Sequence, residues 1–416
     1  MSRRPRTGPP TRLTPTRPRT TMTDRPAPRP LRPIPAPGAP ASSGPSLVTI
    51  AQTFDPARLT QARHLAGLTK KSLAEAVGVS AAAIGQYETG ITTPSPSVLE
   101  PLAVALGVPP GFFATGRPHG RLATGTAHFR SLRRMRVYQR DKAIATVEQV
   151  WELAHELERY VALPPVGVPD LDADPVAAAK ALRQRWDLGT GPVQHFIRRL
   201  EAFGVIVVTP PRDPDSDTVD AFSTCTLPRP VMVLTPNRTD DVYRHRFTAA
   251  HELGHLVMHR DLAGTDPVRE READQFAAEF LTPRDSILPS LPRRLDLRHL
   301  AELSRVWGVS VHSLLYRCRE TGLLSDSAAS RGYQRLNMAK DQPGFRPEPL
   351  SGFPSEQPIM LKQAFTLAAT EADLTIDVLA ERLRWTVERC EHLLGFAAPA
   401  RDERPRLQLL TDTDLG

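Results

Sequence analysis

Apolar residues recur along this chain mostly at helical spacing, interrupted by a few short runs with strand character. Leu59, Ala62, Leu65 and Leu68 predict one short amphipathic helix, and Leu73, Ala74 and Val77 a second. Gly78-Val79-Ser80 makes a tight turn, Ile84 and Tyr87 carry a third helix to Gly90, and Pro94–Pro96 breaks the chain before a fourth through Leu106-Gly107. Helices are also expected over Val147–Leu163 and Pro175–Leu188. Gly204–Thr209, Asp220–Cys225 and Pro230–Thr235 read as strands bounded by Pro and Asp. Phe247, Ala250, Leu253, Leu256 and Val257 keep a helix going across Val242–His259, and Asp266-Pro267 opens another that Thr282-Pro283 closes. Leu297–Trp307 and Val311–Arg319 flank a second Gly-Val-Ser turn at Gly308–Ser310. Leu361–Ala369 and Leu374–Leu394 complete the pattern, with Ile376, Leu379, Ala380, Leu383 and Val387 as an apolar stripe. For this second turn unit and the last helices, core packing is the expected role. The fold class is mainly α with a small β-sheet.

Composition divides the chain further. Residues 1–46 carry nine Arg against one acid, Asp24, and thirteen Pro, with little apolar content beyond Ile34. Such a stretch cannot build a core and reads as a disordered tail. It is either a basic arm for phosphates or a dispensable extension, with Met22 an alternative start. The tail accounts for +8 of a net +7, so the rest of the chain is −1. The expected domains are 47–116, a four-helix unit; 117–144, a basic junction; 145–325, an α+β domain; 326–358, a Ser/Pro/Gly linker; and 359–416, a helical segment. The junction holds Arg130, Arg133, Arg134, Arg136, Arg140 and Lys142, with Phe129 and Leu132 as candidate packing residues. No apolar run suits a membrane span or a signal peptide, which points to the cytoplasm. Cys225, Cys318 and Cys390 lack paired metal-ligand spacing and read as thiols of a reducing compartment.

The strongest chemical signal is His251-Glu252-Leu253-Gly254-His255. On a helix, residues four apart share a face, so two imidazoles can hold one metal ion. Glu252, turned about 100° away, can address a water on that metal. A catalytic zinc needs a third protein ligand and keeps a fourth position for water. On the following helix Glu270, Ala273, Asp274 and Ala277 share a side. Glu270 is the candidate third ligand and Asp274, one turn on, a candidate partner for a ligand imidazole. Glu272 and Glu279 are the alternatives, expected to be solvated. His259 drifts off the ligand face and reads as a supporting or packing histidine. Tyr243 or a nearby Arg is left open as an oxyanion stabiliser.

His251–His255 followed by Glu270-x-x-Ala273-Asp274-x-Phe276-Ala277-x-x-x-Leu281-x-Pro283 resembles the ImmA/IrrE metallopeptidase family over about residues 125–325. The resemblance implies a minimal zincin-like α+β domain, a Zn2+ cofactor, and a DNA-binding repressor-type protein as substrate, in phage-like elements or stress responses. Upstream, Leu73-Ala74-x-x-Val77-Gly78-Val79-Ser80, Ile84, Tyr87-Glu88-x-Gly90 and Pro94 resemble the XRE/Cro-type helix-turn-helix over about residues 54–114. That implies double-stranded operator DNA as partner, with a homodimer allowed. Lys70, Lys71, Ser80, Ala81, Ala82 and Gln86 occupy the DNA-facing positions. Only Ser80 and Gln86 on the recognition helix offer hydrogen bonds to bases, and Lys70 suits a phosphate better than a base. Arg58, Arg63, Lys70 and Lys71 balance Asp55, Glu75, Glu88 and Glu100, so the module is neutral. A module that binds a protein partner is the competing reading.

The sequence therefore predicts a DNA-binding regulator fused to a zinc endopeptidase. The alternative is a transcription factor whose zincin-like part senses a ligand or partner and cuts nothing. The helix-turn-helix is expected to recruit a peptidase that is structurally independent, so a fragment starting near Leu122 should fold and cleave alone.

Overall fold

The computed structural model of this chain describes residues 31–34, 45–118, 120, 122, 136–209, 221–234, 241–260 and 266–396. A short strand, β1 (Arg32–Pro33), precedes helices α1 (Leu47–Gln52), α2 (Pro56–Leu65), α3 (Lys70–Val77), α4 (Ala81–Thr89) and α5 (Pro96–Leu106). Next come α6 (Val137–Leu157), strand β2 (Val161–Ala162), α7 (Pro175–Arg185) and α8 (Phe196–Ala202). Strands β3 (Ile206–Val208), β4 (Phe222–Thr224) and β5 (Val231–Val233) lead to α9 (Val242–Met258) and α10 (Pro267–Leu281). The remainder is helical: α11 (Arg284–Ile287), α12 (Leu297–Trp307), α13 (Val311–Glu320), α14 (Asp326–Ala339), α15 (Met360–Ala372), α16 (Ile376–Leu383) and α17 (Val387–Leu394). The fold is mainly α with a small sheet, as the periodicity predicts.

Local chemistry explains where these helices begin and turn. Asp55-Pro56, Asp174-Pro175 and Asp266-Pro267 start α2, α7 and α10 in one way. Each carboxylate accepts an orphan backbone N–H while the proline sits where no N–H is needed. The α3–α4 and α12–α13 turns are alike too. Gly78 and Gly308 close the first helix at φ 77° and 64°, a valine follows, and Ser80 or Ser310 caps the second helix. The stretch expected as one helix over Leu374–Leu394 splits the same way: Arg384 takes the left-handed position at φ 53° and Thr386 caps α17. The second member of each pair is anchored by its apolar face, Ile84, Leu314–Leu315 or Cys390 with Leu393.

The three-stranded sheet has the order β3-β5-β4, with β3 parallel and β4 antiparallel to β5. Side chains alternate across it, and the two faces serve two cores. Ile206, Val208, Phe222, Val231 and Val233 join α1–α6 and α15–α17 in one core. Val207 and Met232 join α7–α10, α12 and α13 in the other. Ser223 pairs in register with Met232, so it faces the second core, where α9 lies.

Three expectations fail here. Leu31–Ile34 is not free tail: Arg32–Pro33 pairs antiparallel with Val161–Ala162, and Leu31 packs against the first core. Residues 326–358 are not a linker, for α14 buries Ala329 and Gly332 against α13, and Glu356 is buried beside Arg246. Val147–Leu163 is likewise shifted, since α6 starts at Val137 and ends at Leu157. The rest of the Arg-rich tail, with Met22, and Phe129–Arg134 of the junction lie outside the described residues.

The helix-turn-helix region is welded to α6. Arg58 is fully buried and ion-paired with Glu152, and its second nitrogen donates to the Pro118 carbonyl at 2.7 Å. Gln61 donates to Glu148 and Glu152, each at 3.1 Å. From the C-terminal helices, Arg384 donates to the carbonyls of Ala114 and Thr115 at 3.0 Å, and Arg117 returns a bond to the Leu383 carbonyl.

Candidate metal centre

Helix α9 carries His251 and His255 one turn apart, both buried, with their Nε2 atoms 3.1 Å from each other. Helix α10 crosses it closely because residue 254 is glycine. A Cβ there would sit 3.1 Å from the Phe276 ring and 3.3 Å from the Ala273 Cα. That approach brings Glu270, in the first turn of α10, to the imidazoles. Its carboxylate oxygens lie 3.4 Å from His251 Nε2 and 3.6 Å from His255 Nε2. One ligand atom from each of His251, His255 and Glu270 falls within 4.8 Å of the others, and among the described residues no other such trio occurs.

The surroundings set which nitrogens point inward. His251 Nδ1 is 2.8 Å from Asp274 Oδ1, so it donates its proton there and leaves Nε2 as an acceptor. His255 Nδ1 lies 3.0 Å from His259 Nδ1, and His259 Nε2 lies 3.0 Å from Glu272 Oε2. A carboxylate can only accept, so His259 donates through Nε2 and receives the His255 Nδ1 proton at its own Nδ1. With both rings neutral, the two imidazoles thus turn Nε2 lone pairs toward each other and toward Glu270. Three acceptors this close repel unless they share a cation. Burial alone would pull the His251 imidazole down. The hydrogen bonds that it gives to the Asp274 and Glu270 carboxylates, with the Glu252 charge, outweigh this and raise it to about 9, so without a metal Nε2 keeps a proton that a metal ion would displace. The pocket is built to hold positive charge, and a donor set of two imidazoles and one carboxylate suits zinc.

Glu252 sits beside this trio, 3% exposed. Ser223 on β4 donates to its Oε2 at 2.8 Å, a contact that fixes the carboxylate's direction. Nothing in the sequence marks Ser223, because strand register rather than motif spacing puts it there. Of the alternative ligands, Glu272 is half-exposed and engaged by His259. Glu279 is not solvated as expected: it is 1% exposed, paired with Arg317 at 3.1 Å, and it accepts the Arg284 backbone N–H. A buried guanidinium from α13 compensates its charge. Tyr243 is no oxyanion candidate. Its hydroxyl donates to Glu348 at 2.8 Å, and it precedes His251 by eight residues, about 12 Å along the helix. Arg246 is committed to Glu356 and to the Val193 and Gly308 carbonyls.

In the helix-turn-helix, Ser80 caps α4 by accepting from the Ala83 N–H at 3.1 Å, while Ala81, Ala82 and Gln86 are exposed. Lys70 is 3.2 Å from Glu88, which Arg63 also grips at 2.5 Å, and Lys71 is 3.9 Å from Glu75. Among the described residues no helix is long and apolar enough to cross a membrane.

Comparison with known families agrees with this layout. Residues 57–111, from α2 past α5, match the helix-turn-helix domain family. Residues 200–319 match the IrrE N-terminal-like domain family, a metallopeptidase type, and that span contains Ser223, His251, Glu252, His255 and Glu270. No curated protein matches the chain.

Proposed function

We propose that this chain, in which a helix-turn-helix domain is joined to an IrrE N-terminal-like domain, is a zinc endopeptidase that acts on a repressor-type protein and itself binds operator DNA. The observation that carries the peptidase reading is the convergence of His251, His255 and Glu270 beside a carboxylate, Glu252, held by Ser223. Zinc, when bound to that trio, supplies the Lewis acid that polarises a water molecule and the scissile carbonyl. Glu252 takes a proton from the attacking water as the oxygen–carbon bond forms. It then passes that proton to the amine as the carbon–nitrogen bond breaks. Ser223 keeps the accepting oxygen aimed at the site. Strand β4 lies at the edge of the described sheet, so an extended substrate segment can add beside it and present its backbone to Glu252.

The DNA-binding part of the reading rests on α3 and α4, with Ser80 and Gln86 as the polar readers and Ala81 and Ala82 as apolar contacts. The test compares the proteomes of cells expressing the wild type and Glu252→Gln. A regulator fragment present only with the wild type is the expected result. A zinc-loaded wild type that generates no fragment would overturn the peptidase reading and favour a sensor.

A further inference from the structure

The metal-binding face of α9 lies in a trough with two unlike walls. Gly254 meets Ala273 and Phe276 of α10, and Glu252 meets Ser223 of β4. At about 100° per residue these two positions point to opposite flanks of α9 and leave His251 and His255 between them. The same stripe continues toward the start of the helix through Thr248, half-buried, and Arg244, exposed. Strand β4 follows the trough in the direction of α9. Ser223 donates to the Glu252 carboxylate, and two residues on the Cys225 thiol donates to the Arg260 carbonyl, past the end of the helix. A substrate segment laid along the edge of β4 therefore runs over this stripe.

Charge is divided along the trough. Around the metal trio the carboxylates of Glu270, Glu272 and Asp274 gather on α10. Helix α10 runs antiparallel to α9, with Glu270 near His255 and Asp274 at His251, so its later residues lie toward Arg244. Past Asp274 it carries one more acid, Glu279, which Arg317 takes. The acids at the start of α9 are engaged as well. Asp241 caps the helix through the Tyr243 and Arg244 N–H groups, and Glu348 accepts from the Tyr243 hydroxyl. Among the described residues no carboxylate lies within 4 Å of the Arg244 guanidinium. A second donor stands near it. Burial, and after it the Arg244 charge, hold the imidazole of His312 on α13 below its usual range, so the two groups are within electrostatic reach.

We propose that Arg244 selects an acidic side chain of the protein substrate, about three residues from the bond that is cut. Arg244 precedes His251 by seven residues, about 10 Å along the helix at about 1.5 Å each. An extended chain covers that distance in about three residues, at about 3.3 Å each. The contact is a charge-assisted pair, which arginine suits because its planar fork can hold both oxygens of a carboxylate. This inference deepens the peptidase reading and rests on it.

The test maps cut positions by mass spectrometry, with Glu252→Gln as the blank. The zinc-loaded full chain acts on a chymotryptic peptide library from a cell lysate, and fragments from expressing cells are read in the same way. Asp and Glu should be enriched about three residues from the cut, and Arg244→Glu should turn that preference to Lys and Arg. Binding gives a second readout. Glu252→Gln should hold the best-cut acidic peptide without cutting it, and adding Arg244→Ala should weaken its Kd by about two- to five-fold, the range of an exposed ion pair. Replacing the peptide's acid by its amide should cost as much, and the two losses should not add. Zinc content and melting temperature monitor folding. Glu252-dependent cuts without an acid preference, or a preference that survives Arg244→Glu, overturn this inference and leave the peptidase reading standing. No Glu252-dependent cut in the library or in cells removes that reading and this inference with it.

Discussion

Two buried polar clusters in this chain look alike in a list of residues and differ in their charge balance. At the junction of α2 and α6, Arg58 and Arg117 meet Glu148 and Glu152, with Gln61 bridging them. Two cations face two anions, and backbone carbonyls take further guanidinium protons. Between α9 and α10, four carboxylates, Glu252, Glu270, Glu272 and Asp274, meet the three imidazoles of His251, His255 and His259. The first cluster neutralises itself and therefore fastens elements together. The second has a surplus of acceptors converging on one point and therefore calls for a cation. Balance, rather than burial or the number of ionisable groups, separates a clamp from a site.

The largest effect should come from Glu252→Gln. It keeps the shape and the Ser223 contact but cannot accept the proton, so cleavage should fall by roughly 10²–10⁴. Zinc content should not change. If the variant lost zinc as well as cleavage, Glu252 would belong to the ligand set and the division of roles above would be wrong.

The junction should respond in stability instead. Glu152→Ala leaves Arg58 and Arg117 buried beside each other without their anion, and should cost about 3–5 kcal/mol in urea unfolding. Replacing the three together, Arg58→Met and Arg117→Met with Glu152→Leu, should restore most of this. A fragment starting near Leu122 removes Arg58, Gln61 and Arg117 at once and uncovers the α6 face that belongs to the first core. Contrary to the modular expectation from sequence, it should not be stable alone. A cooperative melt at the full-length temperature would restore the modular picture.

How much of this was legible in the sequence follows from how local each feature is. The trio could be read because α9 fixes His251 and His255 by helical spacing, and Asp266-Pro267 sets the register that lands Glu270 in the first turn of α10. Asp274 followed from the same register. Ser223 could not be read, since only the pairing of β4 with β5 brings it to Glu252. Glu279 was misread because a carboxylate looks solvated until its partner, Arg317 on another helix, is known. Helix α14 was misread because its exposed face is polar and its buried face is mostly alanine and glycine. The union of the helix-turn-helix, α6 and α15–α17 in one core rests on contacts between residues hundreds apart, and periodicity reports none of them.

A third imidazole on α9 separates the clusters by pH. His245 is 2% exposed, and burial pulls its pKa from 6.5 to about 4. A bond to the Glu356 backbone opposes this shift and the Arg246 charge adds to it. The folded protein thus binds fewer protons than the unfolded chain between these values. Stability is present above about pH 6.5 and is lost as pH falls toward 4, by up to about 3 kcal/mol at about 1.4 per unit. His245→Phe should flatten urea-derived stability over that window without moving zinc affinity. Acid loss of stability that persists unchanged in the variant would shift the cause to other groups.

The smallest effects should grade along the two supports of the metal-binding imidazoles. Asp274 touches His251 directly, whereas Glu272 reaches His255 only through His259. Removing a partner that fixes a ligand's tautomer typically weakens metal binding by about 10–100-fold. Asp274→Ala and His259→Ala should both fall in that range when zinc is competed against a chromogenic chelator. In His259→Ala the His255 Nδ1 proton loses its acceptor, so the ring is free to turn that proton toward Glu270. Glu272→Ala should cost only a few-fold, since His259 can still accept at Nδ1 while its Nε2–H turns to solvent through the opening left at the half-exposed Glu272. If His259→Ala matched the wild type, the imidazole contact would be packing alone. The second histidine would then be held by the helix and Glu270, and the symmetry between the two supports would be broken.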